Sequence, residues 1–359
     1  MLQALVKELM LRKDEFKNKT IETIYFGGGT PSLLTISEIK LLLDSVYQNY
    51  KVIDKPEITL EANPDDLLSV RAQSRTIFKE YLELGINRLS IGIQSFFDDD
   101  LKDMNRSHTA MEAKECLSAA VRSFDNITID LIYGIPTMTD ERWKKNLQIA
   151  FDFGIHHISS YALTVEAKTA LNTFIKKGKY PPIDEEKALA HFKILVKETK
   201  KQGFVQYEIS NFGRPDYFSK HNTSYWLSKL YMGIGPSAHS YKGTHRSWNI
   251  ANNSKYIKAI QEGVLPQEEE ELSKKDIFNE AIMTGLRTIW GVSLEAIETQ
   301  FGIEYKDELL KNAKKFINKG LLDIVESGEI SKKNSTKKLR ITNKGKFLVD
   351  GIASSLFRV

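Results

Sequence analysis

The sequence has almost no cysteine: Cys116 is the only one in 359 residues. No intrachain disulfide can form, and no zinc or iron–sulfur site can be built from the cysteines of this chain alone. Also absent is any run of about 18 apolar residues, so nothing reads as a membrane-spanning helix. The opening MLQALVKELMLRKDEF is amphipathic, with charges scattered through it. It lacks the unbroken apolar stretch and small-residue cleavage site of a secretory signal, so a cytoplasmic location is the expectation. An excess of one charge is missing too. Lys and Arg number 51 against 47 Asp and Glu, a net of +4, which is too balanced to announce a nucleic acid or a membrane surface by itself.

What is present is enough apolar content, 41% of the chain, for one large domain and something smaller. Leu2, Leu5, Val6, Leu9 and Met10 fall at helical spacing within residues 1–16, with no N-cap before them. IETIYF (21–26) then reads as a strand ending in three glycines. Thr35 and Glu38 offer a capping box for a helix striped by Ile39, Leu42, Leu43, Val46 and Tyr47. The pattern repeats. EITLE (57–61) precedes a helical stretch to Leu84, RLSIGIQ (88–94) a helix near 110–123, ITIDLIYG (127–134) one near 139–153, and HISSYALT (157–164) follows Gly154. Strands about 30 residues apart that alternate with helices predict a parallel sheet of βα units. Such a sheet opening on a helix lacks a pairing strand at its edge, so a first β-strand and its loop are expected upstream of Met1.

Residues 181–200 read as a further helix and FVQYEIS (204–210) as a strand, followed by a stretch dense in aromatics and glycine to 250. The acidic QEEEE (267–271) reads as a linker. Helical patterns at 273–287, 293–301 and 305–320, then LLDIVES, a basic turn and LRIT, suggest a small winged-helix-like α+β domain. The expected division is 1–180, 181–265 and 266–359.

In a βα architecture ligands meet the loops at the C-terminal ends of the strands. There the chain has Gly27, Gly28, Gly29 and Thr30, where backbone groups rather than side chains can approach a ligand. The loop has neither the Lys of a phosphate-gripping P-loop nor GxGxxG spacing. Glu61, Gln94, Arg106 and Asp130 are expected just after successive strands or in the loops that follow, a set that suits a ligand with amino-acid and ribose parts. A second constellation is HNTSYW (221–226). His221 beside flat aromatic surface has the chemistry of an axial heme ligand, although such a histidine is more often a hydrogen-bonded packing residue. His108, His156, His191 and His245 have no supporting partner in the sequence and are assigned no role, His157 and His239 are left open between a site and a structural role, and Trp143, Trp248 and Trp290 are read as core or interface aromatics. The run from Lys332 to Lys346 has seven basic residues and no acid, but it is read as a solvated hairpin or a face for an anionic partner or a membrane surface, and no nucleic acid is expected.

The ordered series YFGGGTPS (25–32), EANPD (61–65), NRLSIGIQSF (87–96), DLIYGIP (130–136), HISSYALT (157–164), YEISNF (207–212) and HNTSYW (221–226) resembles the radical S-adenosylmethionine proteins related to oxygen-independent coproporphyrinogen III oxidase. It resembles most closely their heme chaperone branch, HemW. The resemblance spans almost the whole chain. It implies a partial (β/α)6 barrel, S-adenosylmethionine at its rim, a [4Fe–4S] cluster, and transfer of heme to apoproteins, respiratory membrane proteins among them. By the same resemblance Gly27, Gly28 and Gly29 hold the methionine amino group through backbone carbonyls, with Thr30 also at the S-adenosylmethionine site, Glu61 and Arg106 address the methionine end, and Gln94 and Asp130 address the ribose. HNxxYW is the pattern associated with heme binding, which reverses the packing reading of His221 and favours chaperone over oxidase.

One departure is plain. The family's cluster is held by CxxxCxxC in the loop after the first strand, and these 359 residues hold no such motif. Cys116 lies in a predicted helix, Met111 to Val121, and one thiolate does not hold a cubane. Either the sequence lacks an N-terminal segment or it is a cluster-free relative, and the absent first strand favours the former. Reductive cleavage of S-adenosylmethionine is not expected of the chain as written. The oligomeric state is left open, a dimer included.

Overall fold

In the computed structural model the described residues are 1–68, 77–167, 169–327 and 336–359. A seven-stranded sheet organises the first two-thirds of them. Five strands lie side by side in chain order and parallel: β1 (Ile21–Phe26), β2 (Val52–Ala62), β3 (Arg88–Gln94), β4 (Ile127–Tyr133) and β5 (His157–Ala162). Two short pieces, β6 (Val205–Gln206) and β7 (Asn211–Gly213), continue it antiparallel, with β7 against β5 and β6 outside. FVQYEIS is therefore not one strand. Tyr207 turns inward to meet His157, and Glu208 leaves the ladder to bridge to Thr288.

The helices between the strands start where the sequence puts their caps. Thr35 and Thr109 close capping boxes for Ile36–Asn49 and Ala110–Ala120, and Thr139 caps Asp140–Asp152. Side chains alternate faces along each strand. Ile58, Leu60, Leu89, Ile91, Ile129, Leu131 and Ile158 point one way into a single apolar core with these helices, each burial contributing roughly 1.5–3 kcal/mol. The intervening residues are Glu57, Thr59 and Glu61 on β2, Arg88 and Ser90 on β3, Thr128 and Asp130 on β4, and His157, Ser159 and Tyr161 on β5. A parallel sheet is ordinarily apolar on both faces. Here the second face is polar, and its groups need partners or ligands.

A second sheet joins β8 (His239–Tyr241), β9 (His245–Asn249) and β10 (Gln267–Glu271). The acidic run expected as a linker is thus a strand, paired along its length with β9. Backbone pairing overrides the poor strand preference of consecutive glutamates. The helix Leu2–Leu11 docks beside this sheet through Glu8, which is fully buried and accepts from the Gly235 amide at 2.8 Å and Asn249 Nδ2 at 2.7 Å.

The C-terminal part has its own core around Phe278, Ile282, Leu286, Leu309 and Leu339. It comprises the helices Lys274–Leu286, Leu294–Phe301 and Ile303–Asn318 and an antiparallel sheet of β11 (Val292–Ser293), β12 (Leu322–Ser327) and β13 (Thr336–Ile341). Lys332 and Lys333 of the basic run lie outside the described residues, as do residues 69–76 of the expected helix before Leu84. Lys346 is tied inward, donating to Gln206 Oε1 at 2.8 Å, and burial lowers its pKa to about 8.

Candidate functional site

The three glycines after β1 meet different demands. A Cβ at Gly27 would collide with the Tyr25 ring and lie 2.9 Å from Glu61 Oε1, whereas Gly28 and Gly29 take φ of +70° and +98°. The loop is exposed. Glu61 ties it to the sheet, accepting from the Gly28 amide at 3.2 Å and from the Tyr25 hydroxyl at 2.6 Å. Thr30 closes the loop as the N-cap of the short helical turn Pro31–Leu33.

Beside Glu61 the polar face of the sheet encloses a cavity of about 80 Å³, lined by Tyr25, Glu61, Arg88, Asp130, Tyr161 and Asn222 among others. That is space for a few waters. A wider cleft of about 290 Å³ opens between Val121–Asp125 and Phe153–His156, and none of the expected site residues lines it.

Asp130 has the most perturbed carboxyl of the set. Burial first and the charge of Glu61 second push it up to about 7, against a hydrogen bond from Ser159 and the charges of Arg106 and Arg88. Arg106 is exposed, and its field reaches Asp130. Gln94 ends β3 in a left-handed conformation, φ +63°, and its Oε1 is buried with no partner. An orphaned amide oxygen, a raised carboxyl and exposed left-handed glycines are what a bound polar ligand would satisfy. These features fit S-adenosylmethionine.

His221 is held on all sides. It lies in the helix Lys220–Trp226, capped by Ser219, and Glu57 of β2 accepts the backbone amides of Lys220 at 3.0 Å and His221 at 2.8 Å. The imidazole stacks on Tyr25, its Nδ1 lies 3.0 Å from Thr23 Oγ1, and its Nε2 lies 3.0 Å from the Tyr225 hydroxyl. Burial lowers its pKa to about 4, so the ring is neutral at physiological pH, as an iron ligand must be. Trp226 of the same motif is used differently. The Arg287 guanidinium lies 5.6 Å over its ring and pairs with Asp350, linking the helix to the C-terminal part.

Three of the other histidines have structural partners. His157 is fully buried between Thr128 and Tyr207, His191 accepts from the Gly134 amide, and His108 meets the Ile93 carbonyl. Motif reading missed Thr23, Tyr25, Glu57 and Arg88. Their signal was the period-two polar stripe on otherwise apolar strands. The described residues do not fit a [4Fe–4S] cluster. Cys116 is buried in a helix with its thiol pushed up to about 12, and no group of three or more Cys, His, Asp or Glu side chains able to hold a metal occurs among the described residues.

Residues 3–150 match the family model of the Radical SAM superfamily, and residues 272–328 that of the HemN C-terminal domain. The heme chaperone HemW of Bacillus subtilis (strain 168) is 33% identical over 352 residues, which cover 97% of this chain and 88% of that one. The heme chaperone HemW of Lactococcus lactis subsp. lactis (strain IL1403) is 31% identical, with 98% and 91% covered. The chain belongs to the HemW family. Among solved structures, coproporphyrinogen III oxidase (HemN) from Escherichia coli, described as a radical SAM enzyme, superposes with a TM-score of 0.81 at 22% identity, covering 99% of this chain and 82% of that one. At that identity the likeness is one of fold: an α/β radical SAM fold. In this member of the HemW family the first matched segment holds the glycine loop, Glu61, Gln94, Arg106 and Asp130, while His221 falls between the two matched segments.

Proposed function

We propose that this HemW-family chain is a heme chaperone that carries heme on His221 and hands it to apoproteins, respiratory membrane proteins among them. The observation that carries the reading is His221 itself: a neutral imidazole with Nδ1 held by Thr23 and Nε2 beside the half-exposed Tyr225. Thr23, Tyr25 and Glu57 orient the ring, and stacking on Tyr25 limits its rotation. Among the described residues no helix is long and apolar enough to cross a membrane, and a cytoplasmic site of action remains part of the proposal.

S-adenosylmethionine is proposed for the glycine loop, with the Gly27, Gly28 and Gly29 backbone at its amino group, Thr30 beside it, Glu61 and Arg106 at the methionine end, and Gln94 and Asp130 at the ribose. When bound it brings a cationic sulfonium and an amino group. Glu61 can receive the amino group only by sharing a carboxylate now used by Gly28 and Tyr25. The polar face would line a partial barrel whose rim carries this ligand. Coproporphyrinogen oxidation is the alternative, and the HNTSYW motif at residues 221–226 favours the chaperone over it.

The test is transfer. The hemin-loaded chain is mixed with an excess of an apo-cytochrome and the heme is followed into the acceptor. Transfer should require His221, so that the His221→Ala variant delivers no more heme than hemin free in solution. Equal delivery by the variant removes the proposal.

A further inference from the structure

Both ring nitrogens of His221 are occupied, and the two occupants differ in chemistry. Thr23 Oγ1 lies 3.0 Å from Nδ1, and the Tyr225 hydroxyl lies 3.0 Å from Nε2. Two tautomers satisfy these distances. In one, Nδ1–H donates to Thr23 and the phenol O–H donates to Nε2; in the other both bonds reverse. A phenol is far more acidic than an aliphatic alcohol, and its oxygen lone pairs are drawn into the ring. Tyr225 is therefore the better donor and Thr23 the better acceptor, which favours the first tautomer. It leaves the lone pair on Nε2, on the side of a residue that is 41% exposed. A ligating histidine whose second nitrogen is fixed by a hydrogen bond is held in the correct tautomer and orientation for metal.

We propose that Thr23 is a positioning residue that fixes the Nδ1–H tautomer of His221, and that the Tyr225 hydroxyl covers Nε2 until heme iron displaces it. The inference deepens the heme reading and rests on it. The surrounding geometry suits a side-chain gate rather than a moving helix. Glu57 grips the helix by two amides, so the backbone of His221 is fixed to β2. Tyr225 follows His221 by one turn, its ring edge-on to His221 at 4.9 Å and edge-on to Tyr231 at 4.6 Å. Rotation of this exposed side chain uncovers Nε2 without breaking the helix, and the displaced ring stays available to the macrocycle edge.

The test is a hemin titration of the full chain followed in the Soret band, with Tyr225→Phe, Thr23→Val, Thr23→Ser and His221→Ala. Tyr225→Phe keeps the ring and removes the competitor, and hemin should bind about 5-fold tighter, the worth of one ordinary hydrogen bond. Thr23→Val should weaken binding by about 10-fold and alter the ligand-field bands, while Thr23→Ser restores both. His221→Ala should abolish axial ligation. If Tyr225→Phe binds no more tightly than the natural chain while His221→Ala still loses ligation, the gate is wrong and the heme reading stands. If His221→Ala binds as the natural chain does, both fall.

Discussion

The Tyr25 ring stacks on the His221 imidazole, centroids 4.5 Å apart and planes 15° from parallel, while its hydroxyl donates to Glu61 at 2.6 Å. One side chain thus touches both the carboxylate that holds the glycine loop and the imidazole proposed for heme. A ligand that draws Glu61 toward itself must loosen or strengthen the Tyr25 contact, and the imidazole feels the change. Coupling of this kind is reciprocal.

Hemin affinity should accordingly differ by about 5-fold or more with and without saturating S-adenosylmethionine, the lower end of ordinary coupling energies. Tyr25→Phe keeps the stack and removes the bond to Glu61, so the two affinities should converge in that variant. Isothermal titration in both orders of addition checks this. A variant with the full difference disconnects the two sites.

Glu57 is the anchor of the HNTSYW helix, and its charge also supports the Arg88 guanidinium, which is buried and hydrogen-bonded to Asn126 and Thr128. Glu57→Ala leaves two amides without their acceptor and takes one compensating charge from a buried cation. We expect a loss of roughly 2–4 kcal/mol in urea unfolding, with Glu57→Gln losing less. Equal losses in the two variants would assign the whole effect to the charge and none to the two amide hydrogen bonds, and no loss in Glu57→Gln would remove the charge.

Asp130 makes a prediction in pH. Its folded pKa, about 7, lies above the unfolded value near 3.8, so its protonated form is favoured by folding. The stability it contributes is present below pH 3.8 and is lost as pH rises through 7. Burial is the first cause and Glu61 the second, so Glu61→Gln should move the Asp130 titration downward, toward the ordinary carboxylate range. Carbon-detected titration of the Asp130 carboxyl in the natural chain and in Glu61→Gln reads this directly. An unmoved midpoint would mean that the two carboxyls do not interact.

Much of this arrangement is legible in the sequence, and the parts that are not have physical reasons. The five parallel strands announce themselves because each carries alternating or continuous apolar residues and they recur about 30 residues apart with helical stretches between. The glycine loop is legible because three successive glycines after a strand meet a steric need, visible at Gly27 as a collision with Tyr25 and at Gly28 as a left-handed turn. The strand Gln267–Glu271 was hidden because glutamates disfavour strands, and only its tertiary partner β9 makes it one. Glu57 and Thr23 were hidden for the opposite reason. Each looks like any polar residue in a strand, and only the fold brings residue 221 to within 3 Å of both.

We propose that this chain holds heme iron through His221. Electron paramagnetic resonance and absorption spectra of the hemin-loaded chain, beside those of His221→Ala loaded identically, test it most directly. The natural chain should give an imidazole-ligated ferric signal that disappears in the variant. The same signal at the same saturation in both would contradict it.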